Sequence, residues 1–138
     1  MITLTKVFVD TAAWIALLNV RDNLHHQANE VMDRLLRLET PLVTTEFVLL
    51  EVADALCTPV SRIQTVAFIN SLRVLKSVQI IPFDQKLLDE GWMLYSQRPD
   101  KDWGLTDCIS FAVMTQEGIT QAFTSDRHFE QAGFTKLL

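Results

Sequence analysis

With 138 residues, 49% of them hydrophobic and 21% charged, the chain has the length and make-up of one globular domain, residues 1–138, with a sizeable core; it is too short for two ordinary domains and too apolar for a disordered one. Its net charge of -5 excludes a bulk electrostatic hold on nucleic acid, so any such binding must come from local patches. No stretch approaches the ~18 uninterrupted apolar residues of a membrane span, and none of the expected partners is a membrane.

The chain opens on KVFVD, Lys6 to Asp10, which reads as a short buried strand ending in an acid, followed at once by the helical TAAWIALLN. The apolar run from Val7 to Val20 carries Asp10 near its start and lacks a small-residue cleavage site, so it is read as strand and helix rather than as a secretory leader. Asp22 or Asn23 can cap a helix running to about Glu39, with Ala28, Val31, Met32, Leu35 and Leu36 as its apolar stripe. Pro41 stops it, and Leu42 to Thr44 form a second strand. Thr44 or Thr45 then caps a helix, Glu46 to Cys57, that is apolar on most of its surface and so expected to be buried on more than one side.

Pro59 to Lys76 reads as a further helix and Val78 to Phe83 as a third strand. Asp84 caps a helix, Gln85 to Gln97, that contains the helix-weakening Gly91. A loop follows from Arg98 to Leu105. Thr106 is the expected cap of the helix Asp107 to Gln116, which Gly118 ends; Ala122 to Thr124 is a fourth strand, Arg127 to Gln131 a short helix, and Phe134 to Leu137 an edge strand. Strands alternating with helices predict an α/β fold, a three-layer α/β/α sandwich around a mostly parallel sheet of four to five strands. Cys57 and Cys108 lie inside helical patterns without metal-type spacing and read as buried free thiols of a reducing, cytoplasmic compartment.

Four acids stand where a solvated surface charge is not the simplest explanation. Asp10 ends the first strand, Glu51 interrupts FVLLEVADAL, Asp107 opens the helix of LTDCISF, and Asp126 follows the fourth strand in FTSDRHF. Strand ends and helix N-termini are what the carboxyl edge of a parallel sheet brings together. Singly, Asp10 reads equally as an N-cap, and Asp107 and Asp126 as first-turn acids that favour the helix dipole. Glu51 resists such a reading, because Phe47, Val48 and Ala55 surround it at helical spacing and a buried unpaired carboxylate is costly; Asp54, three residues on, competes with it.

If the four meet, they need a cation. Two carboxylates about 5 Å apart repel by roughly 3 kcal/mol at an effective dielectric of 20. An oxygen-only donor set, without Cys or His at ligand spacing, selects Mg²⁺ or Mn²⁺ over zinc and suits phosphoryl chemistry. No nucleophile-elbow or glycine-rich phosphate motif is present.

In FVDTAAW, TTEFVLLEVADAL, DKDWGLTDCISFAVM and AFTSDRHFEQAGF, taken in this order and spacing, the chain resembles the PIN-domain ribonucleases, and among them the VapC-type toxins of toxin-antitoxin modules. The resemblance covers nearly the whole chain. It implies a PIN-like fold, an acidic pocket for Mg²⁺ or Mn²⁺ made by Asp10, Glu51, Asp107 and Asp126, and cleavage of RNA phosphodiester bonds by hydrolysis. It implies accessory positions at Thr11, Ser125 and Asp102, a homodimer, and a cognate antitoxin whose C-terminal segment covers the pocket. RNA would then be held by local groups near the acids, Arg98, Lys101, Arg127 and His128, with Trp103 stacking on an unpaired base; ordinary surface charge and a core-covering aromatic are the competing reading.

Alternatives from other classes are a PIN nuclease of RNA processing that has no antitoxin, a PIN domain kept as a binding scaffold, and a receiver-like Mg²⁺-binding signalling domain. A receiver expects paired acids after the first strand and a phosphoryl acceptor after the third, where this chain has Pro82, Phe83 and Asp84. A phosphatase of the haloacid-dehalogenase type needs a second Asp two residues after Asp10, and that position is Ala12.

Overall fold

The computed structural model describes residues 5–138. Its elements run β1 (Val7–Val9), α1 (Thr11–Leu18), α2 (His25–Arg37), β2 (Leu42–Thr45), α3 (Glu46–Ala55), α4 (Pro59–Val74), β3 (Val78–Ile81), α5 (Gln85–Gln97), α6 (Leu105–Glu117), β4 (Gln121–Phe123), α7 (Arg127–Gln131) and β5 (Thr135–Lys136). The sheet has 5 strands in the order β3-β2-β1-β4-β5, every pairing parallel. β1 is therefore central, and the chain first winds outward through β2 and β3, then returns to β1's other side as β4 and β5. That reversal opens a crevice at the carboxyl ends of β1 and β4, the switch point where open α/β sheets bind ligands.

Burial follows from this order. All of β1 and β2 is buried, while β3 and β5 at the edges are partly exposed, as expected when helices cover both faces of the central strands. Helices α1 to α4 pack on one another and α5 on α6; right-handed crossovers put the two groups on opposite faces of the sheet. Trp14 of α1 ties the centre together: its indole N–H donates to Thr44 Oγ1 (3.2 Å), and the Thr44 hydroxyl donates to the Val9 carbonyl (2.9 Å). A buried indole and hydroxyl are thereby both satisfied, and α1 is fixed over the end of β1.

Gly91, a helix-weakening residue by propensity, has a packing role. A Cβ there would lie 2.3 Å from Ile109 Cγ1 and 3.1 Å from Ile109 Cα, so the absent side chain is what lets α5 and α6 close on each other. Gly118 takes φ 67° and ends α6 in the left-handed conformation, where glycine carries no Cβ penalty.

Several boundaries differ from the sequence reading. β3 stops at Ile81 because Pro82 has no N–H for the ladder. α2 starts at His25, since the Asp22 carboxylate caps the Leu24 N–H in a preceding turn rather than opening the helix. α6 starts at Leu105 with Gly104, not Thr106, at the N-cap position, and Asp107 reaches back to accept the Gly104 N–H at 3.0 Å. Of the two free cysteines, Cys108 is buried as expected, but Cys57 is exposed, because α3 ends at Ala55 and leaves it in the link to α4. Among the described residues no helix is long and apolar enough to cross a membrane.

Candidate acidic site

Asp10 follows β1 and occupies the N-cap position of α1, yet its side chain makes no capping hydrogen bond. It is 4% exposed and accepts the Thr124 hydroxyl at 2.9 Å instead. The sheet register explains this pairing. Val9 is paired with Phe123, and the Asp10 N–H donates to the Phe123 carbonyl, so the next residues, Asp10 and Thr124, face each other just beyond the strands. Burial pushes the Asp10 carboxyl up to about 7; the Thr124 hydroxyl and the Thr11 N–H offset part of this, while the nearby charges of Asp107 and Glu51 add to it. A plain N-cap has no reason to be buried beside two other acids.

Asp107 and Asp126 each serve a helix end and the crevice at once. Asp107 Oδ2 accepts the Gly104 N–H and faces His128 Nδ1 at 3.0 Å. Asp126 Oδ1 accepts the His128 N–H at 2.9 Å, capping α7, and lies 3.3 Å from His128 Nδ1. Facing carboxylate oxygens, which only accept when ionised, Nδ1 carries the proton and donates. Asp107 is raised above the usual carboxylate range, chiefly by burial and also by the Asp126 charge, against the pull of the Gly104 N–H and His128. Ligand atoms of Asp107, Asp126 and His128 lie within 4.8 Å of one another; with the proton on Nδ1, the two carboxylates are the members of the group with lone pairs to offer a cation.

Glu51 departs from expectation. It is exposed rather than buried, because α3 turns that face of its second turn toward the crevice and not into the core. It is still engaged, accepting the Thr11 hydroxyl at 2.6 Å, and its charge reaches Asp10. Thr11 thus links the start of α1 to α3. The competing Asp54 is exposed and borders a separate cleft with Arg62 and Arg73.

Other sequence candidates divide sharply. Trp103 cannot stack on a base: it is 6% exposed, packed edge-on against Phe111 with ring centroids 5.1 Å apart, its N–H donated to Gln131 Oε1 at 3.0 Å. Its place is the core, because the loop before α6 folds down over α6 and α7. His128, read as an RNA contact, lies inside the acid cluster and brings a nitrogen to a site expected to hold oxygen donors alone. Arg98 is bound by Asp100 through both carboxylate oxygens, each at 3.0 Å, while Lys101 and Asp102 border a cleft shared with Trp92, Tyr95 and Cys108. Arg127 is exposed. The hydroxyl that reaches Asp10 is that of Thr124 rather than Ser125, whose carbonyl accepts from Lys136 Nζ at 3.5 Å. Thr124 was within reach of the sequence, since parallel pairing of FVD with AFT places it opposite Asp10; only the register was needed.

The donor chemistry suits a divalent cation: a nine-tenths-buried carboxylate that feels the charges of Asp107 and Glu51 holds its own charge only beside a positive one. Comparisons with known proteins agree with the architecture. A PIN domain family model matches residues 7–135. The 23S rRNA-specific endonuclease VapC20 of Mycobacterium tuberculosis is 30% identical over 132 residues, spanning 95% of this chain and 97% of that protein. The crystal structure of VapC20, described as a toxin that cleaves the sarcin-ricin loop, superposes with a TM-score of 0.82 at 29% identity, over 94% of this chain and 97% of that one. FitAcB of Neisseria gonorrhoeae shares the fold, with a TM-score of 0.68 at 17% identity and coverage of 94% and 95%. Burial of an acid at the β1–β4 switch point, its neighbouring carboxylates and these likenesses converge on one conclusion: the chain belongs to the PIN-domain family, among its VapC-type members.

Proposed function

We propose that this protein is a Mg²⁺- or Mn²⁺-dependent endoribonuclease that hydrolyses RNA phosphodiester bonds, acting in the cytoplasm as the toxin of a toxin-antitoxin pair. The observation that carries the reading is Asp10 at the switch point, where burial, with smaller contributions from the nearby charges of Asp107 and Glu51, raises its pKa to about 7. VapC20, similar along almost its full length and named as an endonuclease of 23S rRNA, supports RNA as the substrate class.

In this reading Asp10, Glu51, Asp107 and Asp126 hold the cation. A divalent ion bound there supplies Lewis-acid polarisation of a phosphoryl oxygen and a water acidified for attack. The remaining work is that of the chain. Thr124 orients the Asp10 carboxylate through its hydroxyl, and the Thr11 hydroxyl does the same for Glu51. His128 holds a proton at Nδ1 between Asp107 and Asp126 and sets the angle of both. The acids also define the partner's chemistry: an antitoxin that blocks the site would direct an Arg or Lys at them. Exposed apolar residues of α3 and α4, Leu50, Val60, Ile63 and Val66, support protein partners, antitoxin and a second copy of the chain.

The test is cleavage of RNA by the purified protein with Mg²⁺ or Mn²⁺, with excess EDTA, and with saturating antitoxin. Activity is expected only in the first condition. Undiminished cleavage in chelator overturns the metal reading, and full activity in the saturated complex overturns occlusion by the partner.

A further inference from the structure

The loop that buries Trp103 leaves two other aromatic rings in the open. Trp92 and Tyr95, one turn apart on α5, are 56% and 45% exposed, and their rings stack on each other at 5.6 Å with an interplanar angle of 19°. Large aromatics in a small domain are ordinarily drawn into the core; here two lie side by side as an exposed platform. Both border a cleft of about 520 Å³ that is also lined by Arg98, Lys101, Asp102 and Cys108. Buried Trp103 forms its inner wall, with the Arg98 guanidinium 5.0 Å and Lys101 Nζ 5.9 Å from the indole centroid.

This arrangement has the chemistry of a single-stranded nucleic-acid subsite. Exposed ring faces offer stacking to any unpaired base, and cations beside them meet the connecting phosphate. The indole of Trp103 holds Arg98 and Lys101 in place by cation–π contact. Asp100 already binds Arg98, so Lys101 is the cation more available to a phosphate. Cys108 in its lining follows Asp107 in the chain, so the cleft and one of the acids are served by the same first turn of α6. In a protein of net charge -5, an RNA strand that enters the acidic pocket must be gripped at such a local site.

We infer that the cleft between the end of α5 and the Arg98–Trp103 loop binds an unpaired nucleotide flanking the scissile bond, its base on the Trp92–Tyr95 platform and its phosphate on Lys101. The inference rests on the ribonuclease reading and names how that site takes its substrate.

The experiment uses the full chain and an unstructured oligoribonucleotide. Steady-state cleavage is measured for wild type and for Trp92→Ala, Tyr95→Ala and the double variant, with Trp92→Phe as the conservative control. Loss of stacking on one base predicts a KM raised by about tenfold to a hundredfold with kcat little changed, and Trp92→Phe close to wild type. Lys101→Gln should lower the slope of log affinity against log salt by about 0.7, the share of one single-strand phosphate. A binding arm without turnover follows quenching of intrinsic fluorescence on RNA titration, most of which should vanish in Trp92→Phe, because Trp14 and Trp103 are buried. An unchanged KM in the double variant overturns the subsite and leaves the nuclease reading intact. Wild type that quenches with RNA but does not cut it does the reverse. A double variant that keeps the wild-type KM but changes its mass in sedimentation assigns the platform to contact between copies of the chain, and also overturns the proposal.

Discussion

At the ends of β1 and β4 a carboxylate, Asp10, is buried beside other acids, and burial lifts its pKa to about 7; between α5 and α6 the absent side chain of Gly91 lets Ile109 approach to a distance that one methyl group would forbid. The first region is destabilising by its own contents. Its charges repel, and its orienting bonds from Thr124 and Thr11 only offset part of the cost. The second is tight packing whose close approach, Gly91 on Ile109, is apolar, with the Gln116 amide donating to Glu90 alongside. Stability and site chemistry are thus kept in different parts of one small molecule, and a substitution that helps one region should have the opposite sign in the other.

The largest effect expected is on the acids. Asp10→Asn should lower RNA cleavage by about a hundredfold or more, the loss of several kcal/mol of cation-derived stabilisation of the transition state, while the metal-free variant melts no lower than wild type at neutral pH. Cleavage assays alongside thermal melts in EDTA decide this; a destabilised variant that still cuts at the wild-type rate would return Asp10 to the role of a cap.

The same contrast should be visible as a pH dependence. Because the folded pKa of Asp10, about 7, lies above its ordinary value of 3.8, the metal-free native state holds that proton more tightly than the unfolded chain. Its contribution is complete below about pH 4 and is lost as pH rises through 7, a span worth at most about 4 kcal/mol. Denaturant melts in EDTA should show this decline, and Asp10→Asn should flatten it. Added Mg²⁺ should shrink it too, since a cation favours the ionised acid. A wild-type profile that is flat or rising from pH 4 to 7 would refute the assignment.

Next in size is the helix contact. Gly91→Ala should destabilise by about 1–3 kcal/mol, the cost of overpacking, despite the roughly 1 kcal/mol that alanine gains in helix propensity. Equilibrium unfolding in urea measures it, and a stabilised variant would mean that α5 and α6 separate without cost. Smallest is Glu51→Gln. Since Glu51 is exposed, its stability should stay within about 0.5 kcal/mol of wild type, yet cleavage should fall. A Glu51→Gln variant with unaltered cleavage would remove that acid from the site.

The elements were legible because each carries its own local physics. VFV and LVT read as buried strands from apolar and β-branched runs, Pro59 marks the start of α4, and Gly118 marks the end of α6. The candidate acids were legible for a related reason, since strand-to-helix junctions converge at one edge of any parallel sheet. Three features were not. Trp103 and Trp92 are the same residue type on adjoining segments, and only the fold of the intervening loop over Phe111 buries one and exposes the other. Glu51 looked buried because its helix neighbours are apolar, but the rotation of α3 about its axis, a property of its packing on α1 and α4, turns it outward. Thr124 and His128 meet the acids through parallel register and the geometry of α7. Local sequence determined which segments are strands and helices and which acids stand at their junctions, because hydrophobic period, caps and proline act within a turn or two. Tertiary structure alone decided which side chains meet, because strand order, register and helix rotation are settled by packing between residues far apart in the chain, as Thr124 and Asp10 are, 114 positions apart.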